Sequence, residues 1–86
     1  MTKPNNIYFI GIGGIGMSAI ARYYNAQGIR VSGYDKTETV LTKQLQQEGI
    51  EIHFEDNIDL VPKVVDFVVY TPAIPKDHQE LNYCFE

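Results

Sequence analysis

Apolar residues fall along this chain in two rhythms. Ile7-Tyr8-Phe9-Ile10 is an unbroken apolar run that stops at a glycine, the pattern of a strand buried on both faces. Beyond the glycines the rhythm becomes helical. Met17, Ile20, Ala21 and Tyr24 share one side of a segment from Ile15 to Gln27, while Ser18, Arg22 and Asn25 fall on another. Gly28 then ends that helix. A second strand at Arg30 to Gly33 runs into Tyr34 and Asp35, and a second helix is predicted over Thr39 to Glu48, burying Leu41 and Leu45 and closed by Gly49. Ile50 and Ile52 alternate with Glu51 and His53, as on a strand with one exposed face. Asp56 to Val61 reads as a capped helical turn interrupted by Pro62. A fourth strand, Phe67-Val68-Val69-Tyr70, leads into Thr71-Pro72-Ala73-Ile74-Pro75, and a last helix opens near Asp77.

Strands separated by helical stretches, with no two-residue hairpin turns, imply right-handed crossovers and a parallel sheet. The predicted fold class is α/β, a Rossmann-like three-layer domain with four to five strands in the order 3-2-1-4(-5). Four strands are visible, and a fifth is expected after the final helix, which makes these 86 residues the front of a longer protein.

Composition narrows the function. A chain of 86 residues makes one small domain, burying only about 60% of the surface its unfolded form exposes. Its net charge of −4, with seven scattered basic residues, argues against a nucleic-acid partner. No apolar run approaches the ~18 residues that cross a membrane. The first six residues, Met1 to Asn6, lack the apolar stretch of a signal peptide, so a cytoplasmic location is expected. The one cysteine, Cys84, cannot form an internal disulfide, which suits a reducing compartment. Two histidines without clustered cysteines give no reason to expect a metal site. His53, His78 and Cys84 form no catalytic constellation, so no catalytic residue is assigned. Tyr23 and Tyr24 read as helix packing.

The chemistry concentrates at Gly11-Ile12-Gly13-Gly14-Ile15-Gly16, a Gly-x-Gly-x-x-Gly turn between strand and helix. Gly11 lets the chain leave the strand sharply, Gly13 lets an anion approach the backbone, and Gly16 is expected to let the helix pack on the sheet. Free amides and the positive end of the helix dipole then attract phosphate. Asp35 stands nineteen residues beyond Gly16, at the end of the second strand, where dinucleotide-binding folds place a ribose-binding acid. It also forms, with Glu38, a capping-box pattern for the second helix. In a 3-2-1-4 sheet the ends of strands one and four flank the topological switch point, which puts Thr71 and Ala73 opposite the glycine turn. His53 is a strand-face residue within reach of a ligand near the second and third strand ends. On these residues alone, a nucleotide substrate-binding domain, an NAD(P)-binding domain of an oxidoreductase and a regulatory nucleotide sensor all stay open.

Phe9 to Ser18, Val31 to Asp35, Leu45 to Gly49, the His53 to Asn57 stretch and Tyr70 to Pro75 closely resemble the amino-terminal part of the Mur ligases. Within that family they are most similar to the members that join L-alanine to UDP-N-acetylmuramate. The run Gly-Ile-Gly-Gly-Ile-Gly-Met-Ser discriminates most. The resemblance implies a Rossmann-like first domain that binds the UDP part of UDP-N-acetylmuramate. A central domain would carry ATP, with Mg²⁺ assisting, and a carboxy-terminal domain would help bind the amino acid. The present chain would correspond to the first domain alone, hold no cofactor of its own and catalyse nothing in isolation. Carried onto this sequence, the resemblance assigns the backbone of Gly13, Gly14, Ile15, Gly16 and Met17, with Ser18 nearby, to the diphosphate, and counts Gly11 and His53 among the substrate-binding residues. It assigns Asp35, Lys36 and Thr37 to the uridine, with Thr71 and Ala73 as the other wall. Tyr34, in place of a small residue before the aspartate, and Thr71-Pro72, in place of two serines, bear on how uridine and sugar sit.

Overall fold

The computed structural model describes residues 4–85. Its central strand, β1 (Asn6–Ile10), alternates side chains between two cores. Ile7 and Phe9 join Ile12, Met17, Ala21, Val31, Leu45 and Ile50 on one face. Tyr8 and Ile10 join Tyr34 and Val61 on the other. The first core is covered by α1 (Ile15–Ala26) and α2 (Val40–Gln47), which supply Met17, Ala21 and Leu45. The second is covered by the short 3-10 turn η1 (Ile58–Leu60) and α3 (Gln79–Cys84), through neighbouring Val61 and through Leu81 and Cys84. The result is the three-layer α/β domain that the pattern predicts.

With β2 (Arg30–Tyr34), β3 (Glu51–His53) and β4 (Phe67–Tyr70), the sheet runs β3-β2-β1-β4 and every pairing is parallel. Strand β1 is flanked on both sides, Ile7 pairing with Val31 of β2 and with Phe67 of β4. The expected order 3-2-1-4 is therefore found. Asp66 fixes the start of β4 to β1, since its Oδ2 accepts the amides of Asn5 at 2.6 Å and Asn6 at 2.9 Å.

Two local expectations differ from the structure. On α1, Ile20 is 43% exposed while Ser18 is buried, its hydroxyl donating to the Ile15 carbonyl. The inward stripe is narrower than the apolar positions suggest and centres on Met17, Ser18 and Ala21. Arg22 and Asn25 turn toward the end of α2, Arg22 pairing with Glu48 at 2.8 Å and Asn25 donating to the Glu48 carbonyl. Tyr24 packs on the core, and Tyr23, 62% exposed, lies edge-on against it. On α2 the capping box belongs to Thr39 and Thr42, each side chain accepting the other's amide. Asp35 and Glu38 do not form it, because the Asp35 carboxylate is held by other amides.

Helix α3 is tethered through one buried carboxylate. Glu80 has no exposed surface; it accepts from the Tyr8 hydroxyl, the Asn57 amide at 2.9 Å and His53 Nε2 at 2.7 Å. Burial, and secondarily the Glu80 carboxylate, hold the Tyr8 phenol far above its ordinary range, so it stays a donor.

A close contact within the sheet lies at Gly33, where a methyl group would lie 2.7 Å from the Phe9 carbonyl oxygen and 2.8 Å from Ile12 Cδ1. Gly33→Ala is expected to destabilise the fold by ~1–3 kcal/mol, seen in thermal unfolding as about 4–8 °C per kcal/mol. Asp66 offers a pH test. Its two amide bonds lower its pKa below the ordinary 3.8, so its contribution is present above that value and is lost as pH falls through the lower, folded one. The stability difference between the chain and Asp66→Asn should be full at neutral pH and shrink steadily as the solution is acidified below about pH 4.

Candidate functional site

The chain leaves β1 through Gly11, whose φ of +92° is open to glycine and strained for other residues. The amides of Gly11 and Ile12 both donate to the Tyr34 carbonyl, at 2.8 and 3.0 Å, which binds the turn to the end of β2. Ile12 then enters the core with no exposed surface. Gly14 is the N-cap of α1 and, lacking a side chain, leaves the helix uncapped. The first amide used in the helix is that of Ser18, which donates to the Gly14 carbonyl at 2.8 Å. Those of Ile15, Gly16 and Met17 meet no acceptor among the described residues. Three free donors at the positive end of a twelve-residue helix make a place for an anion.

Asp35 closes this turn from the side. One carboxylate oxygen accepts the Gly13 amide at 2.7 Å and the other accepts the Thr37 amide at 3.0 Å. A methyl group on Gly13 would stand 2.7 Å from Asp35 Oδ2 and 3.0 Å from Thr42 Cγ2. The absent side chain thus admits an anion, as the motif leads one to expect, and the anion seated there is the chain's own carboxylate. Gly16 differs from expectation. It is exposed and a methyl group there would touch nothing within 4 Å, so it does not serve helix-to-sheet packing. Helix α1 instead turns Met17, Ser18 and Ala21 inward, and the close approach that needs a glycine is at Gly33, beneath Ile12 of the turn.

Beside the turn, at the carboxyl ends of the strands, lies a cavity of about 450 Å³. Gly11, Tyr34, Asp35 and Lys36 form one wall, and Ala73, Ile74, Pro75 and His78 the other. Burial, followed by the carboxylates of Asp56, Glu80 and Asp35, raises the Tyr34 phenol above its ordinary value, so this wall is neutral at Tyr34. Four of the sequence-predicted residues, Gly11, Asp35, Lys36 and Ala73, therefore meet at the cavity. Gly13 and Gly14 are hydrogen-bonded to its walls, at Asp35 and at the Gly11 carbonyl, and Ile15 to Ser18 follow outside its lining. Thr37 and Thr71 stand behind it, Thr37 donating its amide to Asp35 and Thr71 accepting the Ala73 amide at 3.3 Å. His53 is separated from it by Tyr34, the two rings 5.8 Å apart, and its Nε2 faces Glu80 and the Tyr8 hydroxyl.

Sequence reasoning passed over Ile74, Pro75 and His78 as walls, while Tyr34, which it singled out beside the uridine, is a wall. That histidine is 8% exposed and caps α3, its Nδ1 accepting the Leu81 amide at 3.3 Å. Its Nε2 is buried without a partner. Histidine is not among the usual helix caps, so no sequence cue points to this one. Cys84 is half-buried and its thiol pKa is raised by burial, so it stays protonated. Among the described residues no three His, Cys, Asp or Glu side chains are placed to hold a metal ion, and no helix is long and apolar enough to cross a membrane.

Residues 6–86 match the family described as "Mur ligase family, catalytic domain". The chain is 59% identical to the UDP-N-acetylmuramate–L-alanine ligase of Flavobacterium psychrophilum, covering all of this chain and 20% of that protein. It is 56% identical to the ligase of the same description from Porphyromonas gingivalis, across 90% of this chain and 18% of that protein. The chain therefore spans about a fifth of the length of these relatives. The crystal structure of the UDP-N-acetylmuramate–alanine ligase of Thermotoga maritima superposes with a TM-score of 0.87 at 38% identity, over 93% of this chain and 18% of that one. A murein peptide ligase from Psychrobacter arcticus superposes with a TM-score of 0.82 at 27% identity, over 93% of this chain and 17% of that one.

The contact between Asp35 and Gly13 makes their substitutions interdependent. Gly13→Ala should destabilise the chain, and should cost less in an Asp35→Ala background, where the obstructing oxygen is gone. A double-mutant cycle by urea unfolding is expected to return a coupling of ~0.5 kcal/mol or more. Strict additivity would show that the carboxylate does not sit against the glycine.

Proposed function

Because the chain belongs to the Mur ligase family, we propose that it is the amino-terminal, nucleotide-binding domain of a longer ligase. That enzyme adds L-alanine to UDP-N-acetylmuramate in the cytoplasm, during peptidoglycan synthesis. The observation that carries this reading is the row of unclaimed amides at Ile15, Gly16 and Met17, next to a cavity of about 450 Å³. Such a volume lies within the range of small-molecule sites. The diphosphate lies across the amides of Ile15, Gly16 and Met17, with Gly13 and Gly14 beside it and Ser18 below, and the uridine fills the cavity. An ionised carboxylate has about four acceptor positions. Asp35 uses two of them on Gly13 and Thr37, and those remaining accept the ribose hydroxyls. Lys36 lines the approach, with Thr37 behind it, and Ala73, with Thr71 behind it, forms the far wall.

The residues present do not fit ATP or Mg²⁺. The sequence has no Gly-x-x-x-x-Gly-Lys-Ser/Thr loop, and no acidic cluster among the described residues could hold the ion. Both belong, on this reading, to the remaining domains of the enzyme, and this chain alone catalyses nothing. Its own work is to bind the anion, orient the nucleotide and present the muramoyl end outward.

An NMR titration with UDP-N-acetylmuramate, UDP and NAD tests the reading. The uridine compounds are expected to move the amides of Ile15, Gly16 and Met17 most. Larger shifts with NAD would assign the site to a nicotinamide dinucleotide instead. Asp35→Ala is expected to weaken UDP binding by roughly 1–3 kcal/mol. A fall in thermal stability with unchanged affinity would confine Asp35 to holding the two loops.

A further inference from the structure

Of the side-chain nitrogens and oxygens in the described residues, His78 Nε2 is the buried one without a hydrogen-bond partner. Its protonation follows from the other ring nitrogen. Nδ1 accepts the Leu81 amide at 3.3 Å and must present a lone pair to that proton. The competing contact, Asp56 Oδ1, lies farther away at 3.5 Å. Each oxygen of Asp56 already accepts an amide, that of Gln79 or of Glu80, at the shorter distance of 3.0 Å. The proton therefore sits on Nε2, which is a donor. An unsatisfied buried donor is costly, and in native proteins such a group calls for an explanation.

His78 belongs to the wall of the cavity, with Ala73, Ile74 and Pro75. We infer that His78 reads the nucleobase: its Nε2–H donates to the 4-carbonyl of the uracil ring and so favours uridine over cytidine nucleotides. This rests on the function proposed above. A neutral donor among apolar side chains matches a neutral carbonyl, whereas the phosphates have their own place at the amides of α1. The 2-carbonyl of a pyrimidine adjoins the glycosidic bond and stays near a ribose held at Asp35. The 4-carbonyl lies at the far edge, toward the wall formed by residues 73–78. Cytosine carries an amino group there, which would set donor against donor. Nε2 is covered as the chain stands, so the contact requires a small movement of the wall. Tyr34, with its ring 4.8 Å from that of His78, is the neighbour next to it.

Two substitutions separate the nitrogens of this ring. His78→Asn keeps an acceptor for the Leu81 amide and removes the distant donor. His78→Gln keeps a donor at the reach of Nε2 and gives up the cap. Calorimetry with UDP and CDP on the 86-residue chain should show a wild-type preference for UDP. His78→Asn should lower UDP affinity about tenfold and leave CDP affinity within about twofold, while His78→Gln retains the preference. In nitrogen-15-labelled wild-type chain, the His78 Nε2 proton should move downfield on saturation with UDP. An unmoved proton signal overturns the inference, as does an equal loss of UDP and CDP affinity in His78→Asn, or no loss of either. Wild-type chain that binds no UDP removes the proposed function and this inference together. UDP binding that is indifferent to His78 removes the inference alone.

Discussion

The carbonyl oxygen of Tyr34 receives two amides, those of Gly11 and Ile12. This ties the exit of the central strand to the end of its neighbour. The tie fixes where Gly11 must turn, and hence the left-handed backbone there. It directs Ile12 down onto Gly33, and the contact is so close that no side chain fits beneath it. It also sets Asp35, the next residue after Tyr34, level with the glycine turn, so that its carboxylate meets the Gly13 amide. Helix α1 starts from this fixed point with its first amides unclaimed. The cavity and the anion site are two consequences of one shared acceptor.

The strands and their order were legible because their signals are local. Ile7 to Ile10 is apolar at every position, Gly11 and Gly28 punctuate it and the following helix, and helices between strands demand a parallel sheet. The cluster of Gly11, Asp35, Lys36 and Ala73 was legible for the same reason: motif and topology together put them at one edge. What was hidden depended on which neighbour each residue met. Ser18 looks polar and Ile20 apolar, yet the contact of α1 with the sheet is narrow and takes the serine. Asp35 and Thr39 both carry capping patterns, and only Thr39 caps α2, because Asp35 accepts the amides of Gly13 and Thr37. Glu80 is an unremarkable acid in a polar stretch, and its partners Tyr8, His53 and Asn57 lie between 23 and 72 residues away.

The two faces of the sheet are built by different means. The face under α1 and α2 is apolar throughout, apart from the buried hydroxyls of Ser18 and Thr42. The face under α3 is held by a polar cluster at its centre, Tyr8, His53 and Glu80, with Tyr34 and His78 at its border. Polar clusters of this kind fix position closely, because a shifted partner leaves a buried group unpaired. Here the helix so fixed is the one that carries His78 at its start. The cavity wall thus inherits its placement from a carboxylate on the far side of Tyr34.

The Asp35 carboxylate holds Gly13 with one oxygen and Thr37 with the other. It works as a clasp between two loops that the chain makes separately. A molecule that draws on the clasp from the ribose side therefore tugs on the phosphate turn, and one that settles on the turn steadies residues 35–37. Sugar and phosphate are then sensed through a common joint, and the domain meets the two halves of a nucleotide as a single mechanical unit.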